Sequence, residues 1–227
     1  MLPVAGAEPF DSPRFLFEPS WRGRRALAFV GPARSAGRGK VRLGADGGAD
    51  LASALPELQG LAVRVAARSA ILDGELVVVD PSGRPDAGAL EARLRGERGR
   101  PVAYLVFDLL DVDGRSLLRL PLRKRRAELR RVLRPGDEVV VVPAIAAEGR
   151  ALHAAVVAQG IPGVLARDAG SPYLPGTRSR LWRSIDARPD LVVVPVPAVD
   201  AEPTAEDSGT APVLALFRRL PLDDGDD

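Results

Sequence analysis

The chain has no cysteine among its 227 residues. Disulfides, thiolate nucleophiles and cysteine-ligated zinc are therefore excluded. The single histidine, His153, excludes a multi-histidine metal site. Its place in an Ala/Leu/Val run of helical character points to a structural role. Lysine is almost absent: of 32 basic residues only Lys40 and Lys124 are lysine, and the rest are arginine. No stretch reaches the ~18–20 apolar residues that span a bilayer. The N-terminus lacks a basic segment followed by an apolar core, so no secretory signal is expected and the cytoplasm is the expected compartment.

What is present suits a folded domain. Hydrophobic residues make up 46% and charged residues 27%, enough apolar material for a substantial core. A net charge of +2 does not by itself argue for nucleic acid. The charge is unevenly placed, with arginines crowded into residues 115–134 and acids at Asp223, Asp224, Asp226 and Asp227.

Periodicity and turn residues predict the elements. Residues 1–16 read as an extended lead-in. Strands are expected over 26–30, 40–43, 71–80, 102–110, 138–142, 163–166, 181–185 and 191–196, with one more over 213–217. Asp50 is placed to cap a short helix reaching residue 58. Helices are expected over 86–95, from Pro121 to about residue 133 with Leu122, Leu129 and Leu133 inward and the arginines outward, and over 148–159 with Gly160 at its end. Residues 201–212 read as a linker. Strands interleaved with helices through tight turns indicate an α+β fold built on antiparallel sheets.

Several stretches carry chemical groups. In 17–30, FEPSWRGRRALAFV, a Glu-Pro pair and Ser20 precede an apolar run. Ser20 offers a hydroxyl with no histidine near it in sequence to activate it, and a turn before a strand is the simpler reading. Asp73-Gly74-Glu75 sets acids at a strand start, where they could hold ribose hydroxyls or a divalent cation, or merely form a turn. Phe107 is either a ring for base stacking or a core aromatic. The Gly/Pro-rich segment 160–182 with Arg167, Arg178 and Arg180 suits phosphate contact or a surface hairpin. The arginines of 123–131 are first a solvated helix face, with contact to DNA as the alternative.

In order and spacing these segments resemble the adenylation domain of ATP-dependent DNA ligases, most closely the bacterial end-joining type. The stretches 7–11 and 17–30, Leu72-Asp73-Gly74-Glu75, Phe107-Asp108-Leu109-Leu110, Pro121-Leu122 with Arg125, and 160–182 carry the likeness, which covers about residues 7–198. The resemblance implies an ATP-grasp-like ligase and capping-enzyme nucleotidyltransferase fold of antiparallel sheets flanked by helices. It implies ATP and Mg²⁺ as cofactors, and DNA or a DNA-repair protein as partner. It gives Glu18 the adenine amino group, Arg25 the ribose and phosphate, Glu75 the ribose and metal, and Phe107 the adenine ring. Arg167 stands at a phosphate-binding lysine position.

The departures fall on the reactive positions. Ser20 replaces the nucleophilic lysine and Arg22 the following acid. Ala45-Asp46 stands where Ser-Arg is expected, Pro162 where a metal-linked acid is expected, and Ser184 and Asp186 where two lysines are expected. About 40 residues follow the Trp182 motif, too few for the family's five-stranded OB barrel. The expected organisation is an adenylation domain over 1–188, with a barrel remnant and acidic tail over 189–227. The expected function is a pseudo-ligase of the end-joining family, unable to form lysyl-AMP and retaining nucleotide, DNA or partner binding. The alternatives are an active ligase with an atypical nucleophile, and an interaction module with a vestigial pocket.

Overall fold

The computed structural model describes residues 1–31, 39–45, 48 and 50–187. The strands expected over 191–196 and 213–217, the linker, the barrel remnant and Asp46 lie outside the described residues.

Two sheets face each other across a shared apolar core. The first runs β1 (Leu2–Val4), β11 (Arg178–Asp186), β10 (Gly163–Asp168), β2 (Ser12–Ser20) and β9 (Ile145–Ala147). The second runs β4 (Val41–Ala45), β3 (Arg24–Val30), β5 (Ala70–Val77), β6 (Ala103–Val112) and β7 (Arg115–Ser116), with β8 (Val139–Val141) beside β6. Among the described residues only β1–β11 and β6–β8 pair in parallel; the remaining ladders are antiparallel. The α+β class expected from the sequence is what the chain adopts.

Core positions follow from the strand period. In β3, Ala26, Ala28 and Val30 are buried and pack with Leu72, Tyr104, Leu129 and Val139 on the outer side of the second sheet. Phe17, Trp21, Phe107, Val164 and Trp182 belong to the core that includes the space between the sheets. Because successive side chains of a strand point to opposite faces, one strand serves both clusters.

Short helices α1 (Leu61–Arg64) and α2 (Ala87–Leu94), and the longer α3 (Leu122–Val132) and α4 (Gly149–Ala158), cover the sheets. Asp86 caps α2 by accepting from Ala89 N at 2.9 Å. Gly160 takes φ +70° just past α4, the left-handed conformation that ends a helix at little cost. Asp50 does not cap a helix. Its carboxylate accepts from Leu43 N at 3.0 Å and Ala52 N at 3.1 Å, and the chain passes through a 3₁₀ turn at Pro56–Gly60 instead. A second departure concerns α3. Its leucines are buried as the pattern predicts, but Arg125 and Arg126 are buried with them. A third concerns residues 18–20, which end a strand, β2, rather than introduce one.

Candidate functional site

Strand pairing sets out three rows on one face of the first sheet: Ser20, Gly163 and Asp186; then Glu18, Leu165 and Ser184; then Leu16, Arg167 and Trp182. Directly opposed residues of a ladder share a face. That face turns toward β6, because Arg167 and Trp182 both meet the ring of Phe107. The fold therefore sets Glu18, Arg167 and Phe107 in contact, with Ser20 on the same face two residues beyond Glu18. Arg25 and Glu75 approach from the second sheet, where they are paired in register on β3 and β5.

Glu18 is only 1% exposed. Its carboxylate accepts hydrogen bonds from Arg126 Nη1 and Arg167 Nη1. Arg126 also donates to the carbonyls of Phe107 at 3.1 Å and Val142 at 2.5 Å. The Arg167 guanidinium lies 3.8 Å from the centroid of Phe107 and 4.6 Å from that of Trp182, a planar cation against two aromatic faces. Burial lowers the guanidinium of Arg167 to about 9 and that of Arg126 to about 10. Both remain charged at neutral pH, so two cations share one carboxylate. Nε of Arg126, Nε of Arg167 and Nε1 of Trp182 find no hydrogen-bond partner among the described residues.

Arg25 is clamped on other protein groups. Nε and Nη2 donate to the two oxygens of Asp73 at 2.9 and 2.5 Å, Nη2 donates to the Tyr173 hydroxyl at 3.0 Å, and Nη1 reaches the carbonyl of Met1. Tyr173 in turn donates to Asp73 Oδ2 at 2.8 Å. Burial and the Asp73 charge push the Tyr173 phenol above its usual range. At the mouth of the cleft a recess of about 240 Å³ is lined by Met1, Arg25, Leu27, Ala45, Tyr173 and Gly176, among others.

Glu75 holds the turn that follows Ser20. Its carboxylate accepts from the backbone amides of Gly23 and Trp21, and burial raises it to about 7. Arg22 sits in that turn at φ +52°. The turn closes tightly because residue 23 is glycine: a Cβ there would lie 2.1 Å from Leu76 O. No group of three or more histidines, aspartates or glutamates among the described residues could hold a metal ion.

Arg22 Nη2 donates to Asp186 Oδ1 at 2.5 Å. The resemblance expects an acid at 22 and a lysine at 186. The chain carries the opposite charges at the two places and pairs them. His153 Nε2 lies 2.9 Å from the carbonyl of the same Asp186, in keeping with the structural role expected of it. Sequence reasoning missed Arg126, the pairing of Asp73 with Arg25 and Tyr173, and the Asp108–Arg125 pair, whose bidentate bonds are 2.8 Å long and fully buried.

The site as it stands does not fit a stacked adenine. A base on Phe107 would need the volume that the Arg167 guanidinium occupies. Both oxygens of Glu18 already accept from arginines, which crowd the place where an amino group would be read. The Glu75 carboxylate already takes two amide donors.

The model of the ATP-dependent DNA ligase domain matches residues 10–185. The multifunctional non-homologous end joining protein LigD of Mycolicibacterium smegmatis is 31% identical over 183 residues, 80% of this chain and 23% of that protein. A probable DNA ligase of Sorangium cellulosum is 36% identical over 175 residues, 68% of this chain and 31% of that protein. Among solved structures, a mycobacterial DNA ligase D complexed with ATP and MES superposes with a TM-score of 0.69 at 30% identity, covering 82% of this chain and 58% of that one. The ligase domain of LigD from M. tuberculosis gives 0.67 at 31% identity, with the same two coverages. The chain spans under a third of the length of these curated relatives. It belongs to the ATP-dependent DNA ligase family and takes the nucleotidyltransferase fold of the LigD ligase domain.

Proposed function

We propose that this chain is a pseudo-ligase: a ligase-like domain that forms no enzyme-AMP and acts by docking on DNA without covalent chemistry. The observation that carries this reading is the Arg167 guanidinium stacked on Phe107 and ion-paired to Glu18. The chain's own side chain fills the slot that a base would need. Ser20 adds a second reason. A nucleophile must lose its proton to attack phosphorus, and among the described residues no histidine, aspartate or glutamate is hydrogen-bonded to the Ser20 hydroxyl; the one histidine is engaged with the Asp186 carbonyl. The reversed pair Arg22–Asp186 favours a domain kept for its fold.

Docking on DNA draws on the family itself and on the end-joining names of the relatives. Calorimetric titration with ATP tests the closed slot. The expected result is no measurable heat in the range where an active ligase saturates. Saturable binding at micromolar ATP would overturn the reading.

A further inference from the structure

Residues 115–134 hold nine arginines and lysines against one acid, Glu128, in a chain whose net charge is only +2. Two of the nine, Arg125 and Arg126, are buried in ion pairs. The other seven are exposed, and among the described residues only Arg131 has a carboxylate within reach, Glu128 at 3.9 Å.

Arg130 and Arg131 sit in the last turn, where positive charge suits the helix, but the cations at its start work against it. Arg123 and Lys124 occupy the first turn of α3, which has no acid, where the macrodipole disfavours positive charge. The amides of Leu122 and Arg123 already donate to the carbonyls of Ser171 and Ala169, so the helix end is satisfied internally. Folding does not explain the charge of the first turn.

Helical geometry sorts these cations into two rows, Arg123 with Arg130 and Lys124 with Arg131, on the side away from Leu122, Leu129 and Val132. Arg123 to Arg130 spans roughly 10 Å at 1.5 Å per residue, or about three phosphate steps of one DNA strand. At the head of the rows lies a recess of about 480 Å³ lined in part by Arg14, Arg123, Asp168, Gly170 and Ser171. The one carboxylate there, Asp168, is neutralised by Arg14 at 2.6 Å and by Gly170 N at 2.8 Å. Arg123 keeps its charge free for a ligand. The Arg123 Nη1 would stand 3.8 Å from a Cβ at residue 170, so glycine there leaves the recess open beside it.

We infer that the outer face of α3, from Arg123 to Arg130 with the recess at its head, is a docking surface for the phosphodiester backbone of DNA, separate from the cleft between the sheets. It rests on the reading of this chain as a DNA-docking domain. Sequence independence follows from the chemistry, since arginine and lysine rows meet phosphates and leave base edges unread.

The test measures binding of a fluorescent blunt duplex by the full chain across a salt series. Wild type is compared with the triple variant R123Q/K124Q/R130Q, and with R98Q as an exposed arginine elsewhere. Three lost phosphate contacts should make the slope of log affinity on log salt shallower by about 3, at roughly 0.9 per contact, and weaken binding at ~50 mM salt at least tenfold. R98Q should match wild type. The gain from removing two first-turn cations offsets the loss of Arg130 from the last turn, so the melting temperature should be unchanged, which separates lost docking from lost folding. Duplex binding with the same slope in wild type and triple variant overturns this surface while leaving DNA docking intact. No duplex binding by wild type overturns the docking reading and this surface with it. Binding of polyglutamate but not of duplex assigns the face to an acidic protein, and also overturns it.

Discussion

Arg167 and Arg126 flank the same carboxylate, yet their removal should differ sharply. Glu18, Arg126 and Arg167 are each no more than 2% exposed, so two buried cations share one anion. Replacing Arg167 with methionine keeps most of the stem and leaves a neutral Glu18–Arg126 pair. It also removes an Nε donor that has no partner among the described residues, a group that costs roughly 1–3 kcal/mol while buried. That relief offsets much of the lost ion pair and stacking, so the net cost should be about 2 kcal/mol or less. Replacing Arg126 with methionine also leaves Glu18 one partner and also removes an unpartnered Nε, but it strips the carbonyls of Phe107 and Val142 of their arginine donor, two buried acceptors at roughly 1–3 kcal/mol each. The cost should exceed that of R167M by about 2 kcal/mol or more. Urea denaturation followed by tryptophan fluorescence reads both, since Trp182 lies against the pair. A second readout is ATP titration of the shorter variant R167A, which should gain nucleotide binding that wild type lacks. Equal destabilisation by R167M and R126M, or no gain of ATP binding in R167A, would refute the reasoning.

Three other outcomes follow from the same geometry. Glu75 is raised to about 7 from 4.5, so the folded state holds its proton more tightly than the unfolded chain. Its contribution is full below about pH 4.5 and is lost as pH rises through 7, a swing of up to about 3 kcal/mol; E75Q should flatten that part of the stability profile in melts from pH 5 to 8. Gly23→Ala drives a Cβ to 2.1 Å from Leu76 O, and should lower the melting temperature by more than 10 °C or prevent folding, at about 3 kcal/mol or more. Asp108→Ala leaves the guanidinium of Arg125 buried and uncompensated and should cost about 3–5 kcal/mol by denaturant midpoint, whereas breaking the exposed Arg22–Asp186 pair with R22Q should cost less than about 1 kcal/mol.

Strands were legible wherever β-branched runs met turn residues, as in 71–80 and 102–110. The two-sheet arrangement followed from the family likeness more than from any period. Residue 50 misled because an aspartate before an apolar stretch can cap a helix or, as here, bridge to a neighbouring strand at Leu43, and only the tertiary fold decides. The inward turn of Arg125 and Arg126 was hidden by the rule that charges on an amphipathic helix face water. A signal existed: Glu18 and Asp108 sit in apolar strand sequence, and buried carboxylates require cations. Glu18, Arg25, Glu75 and Phe107 could be proposed as site residues from sequence. That Arg167 lies on Phe107 could not, because it depends on the register of β10 against β2 and on the distance between two sheets. The same holds for the reversed pair of Arg22 and Asp186, 164 residues apart, which sequence alone presents as two unrelated losses.

The central claim is that no enzyme-AMP forms. Incubation of the protein with ATP labelled at the α-phosphate and Mg²⁺, followed by acid precipitation and intact-mass measurement, tests it most directly. The account predicts unlabelled protein at its unmodified mass, both in wild type and in S20K, where a restored lysine would still face the slot closed by Arg167. An acid-stable, stoichiometric AMP adduct on the wild-type chain would contradict it.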